Sequence, residues 1–171
     1  GTKGYTFLFD YKRKTWSTLY GWDGAQGIPN RWPGWSYWPM WGRMFVGGEG
    51  KVYEIDTANF QDADANVMRF MARTAHLSGG DEMIVNDSRI MVKRGTLTAN
   101  ATEVYVSMRC NRDNSGWSPW QRRGIGTAGR REMQAYFGGW GAGHSFQFEV
   151  MVAENAQVEL KKFQVDAIPV G

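Results

Sequence analysis

Hydrophobic and polar positions alternate with period two along most of this chain, and a helical period is almost absent. "YTFLFD" (5–10) runs into "YKRKTW" (11–16) as a hairpin whose turn is built from Lys12, Arg13 and Lys14. "GRMFVGGEGKVYEID" (42–56) reads as strand, Gly-Gly-Glu-Gly turn, strand. "SRIMVKRGTL", "TEVYVSMRC", "SPWQRRGI", "RREMQAYFGG", "HSFQFEVMV" and "QVELKKFQVDAI" follow, with "GGWGAG" (138–143) as a loop between two of them. The best helical candidate is "TANFQDADANVMRFMARTAHL" (57–77), although Val67, Phe70 and Met71 also suit a strand. Regular short strands separated by turn signals point to an all-β chain built as a sandwich, a barrel or propeller blades. The 22 glycines and 15% aromatic content agree with many tight turns.

A seam is expected near 57–66. Residues 1–62 then form an antiparallel, propeller-blade-like sheet that includes an aromatic-rich stretch, and residues 63–171 form a β-sandwich. The first block is too small to cover both faces of one sheet, so it must pack on the sandwich or belong to a larger assembly. A short echo joins the blocks: "KRKTWSTLYGWDG" (12–24) and "RDNSGWSPWQRRG" (112–124) each run charged turn, Trp-Ser, aromatic, glycine. The echo predicts Trp16 and Trp117 packed beside their turns. The Gly1-Thr2 start reads as trimmed, so the chain is expected to be a piece of something longer.

Charge changes the picture only locally. The net charge is +3, too small to call for a nucleic-acid or membrane partner, yet residues 85–131 carry nine basic against three acidic side chains. Arg122, Arg123, Arg130 and Arg131 flank the turn "GIGTAG" in an expected hairpin over 120–132. No aromatic residues alternate with them as a strand-binding groove would require. They are therefore expected to meet carboxylates on a neighbouring subunit. The single cysteine, Cys110, excludes an intrachain disulfide and reads as a buried, inert thiol. No run of eighteen apolar residues occurs, and no membrane partner is expected.

Catalytic chemistry finds little footing. His76 and His144 have no nucleophile motif beside them. Asp56, Asp62 and Asp64 lack the spacing of a calcium loop, and "GGWGAG" lacks a P-loop lysine. No metal or cofactor is expected. The remaining feature is "RWPGWSYWPMWG" (31–42), which holds Trp32, Trp35, Tyr37, Trp38 and Trp41. It suits a stacking platform for a glycan, packing within the fold, or a surface that meets another chain. Pro33, Gly34, Pro39 and Gly42 break the stretch into turns and should scatter its rings over several directions.

"LFDYKRKTWS" (8–17) and "GRMFVGGEGKVYEID" (42–56), followed by "EVYVSMRCNRDNSGWSPW", "GIGTAGRREMQAYFGGWG" and "HSFQFEVMV", resemble the C-terminal part of podovirus tail-hub proteins. These are also called packaged-DNA stabilisation or tail tubular proteins. The resemblance implies a propeller-like region followed by a C-terminal β-sandwich. It also implies a structural role without catalysis, in a homo-oligomeric ring below the portal of the virion tail, among other tail or portal subunits. Residues 31–42 have no counterpart in that pattern. A carbohydrate-binding β-sandwich module that presents those five rings to a glycan is the alternative.

Overall fold

The computed structural model describes residues 5–23, 28–56, 59, 61, 67–94, 103–126 and 132–170. The chain is all-β, with no helix among these residues. It divides into two compact units, Gly1–Asn66 and Val67–Gly171; the expected boundary at 62/63 lies a few residues earlier. The helical candidate 57–77 is not a helix over its described part. Instead, Phe70–Arg73 form a short strand and Leu77 opens a long one.

The first unit holds two separate three-stranded antiparallel sheets. β1 (Thr6–Asp10), β2 (Thr15–Asp23) and β3 (Ile28–Arg31) form one; β4 (Ser36–Met40), β5 (Arg43–Gly48) and β6 (Lys51–Ile55) form the other. The expected hairpins 5–16 and 42–56 are β1–β2 and β5–β6. At the first turn the Asp10 carboxylate accepts the Arg13 and Lys12 backbone N–H groups at 3.1 and 2.9 Å, which holds its pKa below the usual carboxylate range. The aromatic stretch was expected to break into turns; it supplies β4, with Pro33-Gly34 separating β3 from β4. That break makes two sheets where one blade-like sheet was anticipated. The segment lies so close to β5 that a Cβ on Gly48 would sit 1.7 Å from the Pro33 carbonyl oxygen.

The second unit is one six-stranded sheet folded into two layers. β7 (Phe70–Arg73), β8 (Leu77–Arg94), β9 (Tyr105–Arg112), β10 (Gln121–Gly124), β11 (Glu132–Val152) and β12 (Val158–Pro169) compose it. β11 belongs to both layers: its first half pairs with β8, which also pairs with β12, and its second half lies between β7 and β9. The loop expected at 138–143 is thus the corner of one 21-residue strand. Gly139 and Gly141 have φ of +75° and +82°, and register shifts occur at Gly138/Gly141 and Gly143/Ser145. Bulges at glycines bend a strand between layers without ending its ladder.

The core lies between the layers. Phe148 on β11 stacks edge-on with Trp140 at 5.5 Å and meets Phe163 of β12 at 5.2 Å. Val106, Met108 and Cys110 from β9 face inward with Ile90, Val92 and Phe137. The buried Ser88 hydroxyl accepts the Trp140 indole N–H at 3.0 Å and donates toward the Met108 sulfur at 3.2 Å. β10 pairs with β9, not with β11 as the 120–132 hairpin would require. It reaches β11 through side chains, with Gln121 donating to the Gly138 carbonyl at 2.7 Å and Arg123 to the Tyr136 carbonyl at 3.1 Å.

Because the second unit has its own core, residues 67–171 expressed alone should melt cooperatively. Phe148→Ala should destabilise that segment by about 3–5 kcal/mol. Urea denaturation followed by circular dichroism checks both, and a non-cooperative transition in the parent segment would contradict the division.

Candidate interaction site

The first unit is short of interior. Among its described residues Val46 is the one hydrophobic side chain that is buried. Cross-strand partners in an antiparallel pair share a face, so Phe7 and Phe9 on β1 lie with Thr18 and Trp16 on β2. Tyr20 and Trp22 continue the same face by alternation. Tyr5 stacks on Phe7 with centroids 6.3 Å apart, and Phe9 meets Trp16 at 4.7 Å. Tyr5, Phe7, Phe9 and Trp16 are exposed, Trp16 by 70%, so Trp16 meets Phe9 beside its turn, as the echo expected, but on an open face. The sequence carries this face openly, with an aromatic at every second residue of "YTFLF" and at three of the four such positions of "WSTLYGW", Thr18 being the exception.

The five rings of 31–42 do not share a face. Tyr37 pairs with Val46 and Trp38 with Phe45, on opposite sides of β4 and β5. The Trp32 indole N–H donates to the Tyr37 hydroxyl beside half-buried Trp32. Trp38 lies nearly parallel to Phe45 at 6.4 Å. Trp35 is exposed under the Arg31 guanidinium, 5.0 Å from its ring. Trp41 is at the β4–β5 turn.

On the second unit a charged and aromatic cluster covers the outer face of β7, β11 and β9. Glu149 stands directly opposite both Arg73 and Arg109. Its side chain is 3% exposed; one oxygen accepts from Arg73 Nη2 at 2.6 Å and the other from Arg109 Nε at 2.6 Å. Two tryptophans lie over this triad. Trp117 has the Arg73 and Arg109 guanidinium carbons 4.9 and 4.8 Å from its centroid, and Trp120 has Arg109 at 4.4 Å. Trp117 is half-buried against arginines, where the echo predicted packing beside its turn by analogy with Trp16.

A bulge brings the two rings together. Trp117 bridges Asn111, Ser118 bonds the Cys110 backbone, and Gln121 pairs with Met108. Pro119 and Trp120 therefore both oppose Arg109, and the extra residue shifts the alternation so that positions 117 and 120 face the same way. No motif in the sequence announces Arg73 or Glu149; Pro119 inside an alternating segment is the one signal that could have marked the bulge.

Arg122 and Arg123 are engaged within their own unit. Arg122 pairs with Glu154 at 3.0 Å and stacks on Tyr105 at 3.8 Å; Arg123 bonds the Tyr136 carbonyl. Both side chains are nevertheless exposed, and the contact with a neighbouring subunit stays an expectation for them. Arg130 and Arg131 lie outside the described residues. The Tyr105 hydroxyl donates to Glu103, which raises its pKa. Cys110 is buried, and desolvation pushes its thiol from 9.0 up to about 11. Groups of three or more metal-ligating side chains are absent among the described residues, and no helix there is long and apolar enough to cross a membrane. Neither a protein-family model nor a curated protein matches the chain.

Removing Glu149 leaves the partly buried Arg109 without its carboxylate, whereas Arg73 is half exposed and screened by water. Glu149→Ala should thus destabilise by about 3–5 kcal/mol and Arg73→Ala by less than about 1 kcal/mol, as read from denaturant midpoints. Equal effects would show that the triad is not the anchor.

The folded state favours the neutral Cys110 thiol, so its contribution to stability is complete below about pH 9 and is lost as pH rises toward about 11. At pH 8 a disulfide reagent should leave the native thiol unmodified and label it at once in denaturant. Rapid labelling of the native protein would place the thiol at the surface.

Proposed function

We propose that the chain is a structural subunit of a bacteriophage tail hub or connector, which works by assembling with copies of itself and with other tail or portal subunits. The observation that carries this reading is the imbalance of the first unit. It has one buried hydrophobic side chain among its described residues and one sheet face set with aromatic rings that stand in water. Exposed apolar patches of this kind mark association surfaces in stable proteins. The strand, polar-turn and Trp-Ser pattern shared with podovirus tail-hub proteins supplies the biological setting. The glycan alternative has weaker support, because a sugar platform needs its rings on one face and those of 31–42 are divided between two.

Antibodies raised against the chain should decorate the tail end of the virions that carry its gene, in negative-stain micrographs. Virions that lack the antigen would overturn the tail-hub assignment. Phe7→Ser with Trp16→Ser should weaken binding of the chain to isolated tails, read by co-sedimentation.

A further inference from the structure

A cleft of about 570 Å³ lies on the second unit between the end of β9, the 115–121 segment and the corner of β11. Trp117, Trp120 and Trp140 line it together with Arg112, Ser115 and Gln121. Its volume is within the range of small-ligand sites, about 300–1,000 Å³. Of these six residues only Trp140 belongs to the core, and its indole N–H is already bound to Ser88.

The walls are built in advance. Trp117 and Trp120 are held on the guanidinium groups of Arg73 and Arg109, which the buried Glu149 fixes in turn. Asp113 pins the rim, with one carboxylate oxygen accepting the His144 and Ser145 backbone N–H groups at 2.9 and 2.8 Å. Arg112 lies along the glycine corner. A Cβ on Gly141 would stand 2.7 Å from its guanidinium nitrogen, and one on Gly143 would stand 2.7 Å from its Cγ. A larger residue at either position would displace Arg112. Walls fixed in this way lower the ordering cost of binding.

The groups left uncommitted in the cleft are donors. Arg73, Arg109 and Arg122 each hold a carboxylate, whereas no carboxylate of the described residues pairs with Arg112. Neither the Trp117 nor the Trp120 indole N–H has an acceptor among the described residues. Gln121 donates one amide hydrogen to the Gly138 carbonyl and accepts the Gly138 N–H, which leaves its second amide hydrogen. One unpaired guanidinium among ring faces and spare donors suits one carboxylate on a ring-shaped, acceptor-rich ligand. A nucleic-acid strand would need further cations along its path, and the nearest in sequence, Arg122 and Arg123, bond Glu154 and the Tyr136 carbonyl. A flat hydrocarbon acid would leave most of these donors unmatched.

We propose that this cleft binds an acidic saccharide, with Arg112 taking the carboxylate and Trp117 and Trp120 covering the C–H face of a sugar ring. The site uses none of residues 31–42, and it stands or falls independently of the tail-hub reading.

The test applies the full chain to an array of uronate- and sialate-bearing oligosaccharides, the same oligosaccharides with their carboxyl groups reduced to alcohols, and single-stranded oligonucleotides. At least one acidic oligosaccharide should bind, and its carboxyl-reduced form should bind about tenfold or more weakly. Calorimetric titration of that pair then reads the variants. Arg112→Gln has no ion pair to lose, so it should melt as the parent does while binding the acidic and reduced forms alike. A merely loosened fold would weaken both forms and leave their ratio unchanged. If Arg112→Gln melts lower than the parent, Arg112→Lys takes its place; it keeps the charge, loses the planar fork and should show a smaller preference for the acid. Binding of no acidic oligosaccharide would overturn the proposal, as would equal binding of the reduced form by the parent. An undiminished preference in the Arg112 variant would do the same. Oligonucleotides as the sole ligands would also overturn it and make the cleft a base-stacking site.

Discussion

The second unit depends on the bend of β11. A strand of 21 residues is longer than one layer of a small sandwich can use. Either it ends and a loop carries the chain across, or it bends and stays paired. The glycines at 138–143 select the second outcome, and their positive φ at 139 and 141 sets where the corner falls. One strand then hydrogen-bonds in both layers, and Trp140 at the corner brings its indole N–H to Ser88 on the neighbouring strand β8. Both layers therefore share one register, and the inward-facing residues of β8 and β9 are fixed relative to each other.

On the outer face, burial and charge interact more delicately. Glu149 is nearly inaccessible, and a lone buried carboxylate would be strongly unfavourable. Two guanidinium groups opposite it in register resolve this, and each then lends a planar cation to a tryptophan. The rings shield the triad from water, which strengthens the attraction they cover. The cluster is best understood as a clasp that joins β7, β11 and β9 where no core residue can reach. Its partly exposed members contribute less than the Glu149–Arg109 pair.

Much of the architecture was legible in the sequence because period two is a local property. The β1–β2 and β5–β6 hairpins, β9 and β12 follow from alternation plus turn residues. Where the reading departed from the structure, a nonlocal fact had decided. Glycines at 138–143 resemble a loop unless both flanks share one ladder. Gln121–Gly124 resembles half of a hairpin with 132 onward until β9 takes its backbone bonds. Glu149 looks like any outward polar residue of a strand, since its partners are 40 and 76 residues away. The aromatic density of 31–42 drew attention by composition, while the sparser aromatics of 5–22 make the more continuous face because their spacing matches the pleat.

The bulge at Pro119–Trp120 acts as a phase marker for everything after it in the β9–β10 pairing. Two residues opposite one reset the inward-outward alternation, so the chain beyond is read in a different frame from the chain before. Loss of a single residue there would leave composition nearly intact yet turn Gln121 outward and Arg122 toward the core. The hairpin is therefore intolerant of a change in how many residues it holds. That is the reverse of an ordinary surface loop, in which length drifts freely, and it makes residues 117–121 a fixed-length element despite their irregular backbone.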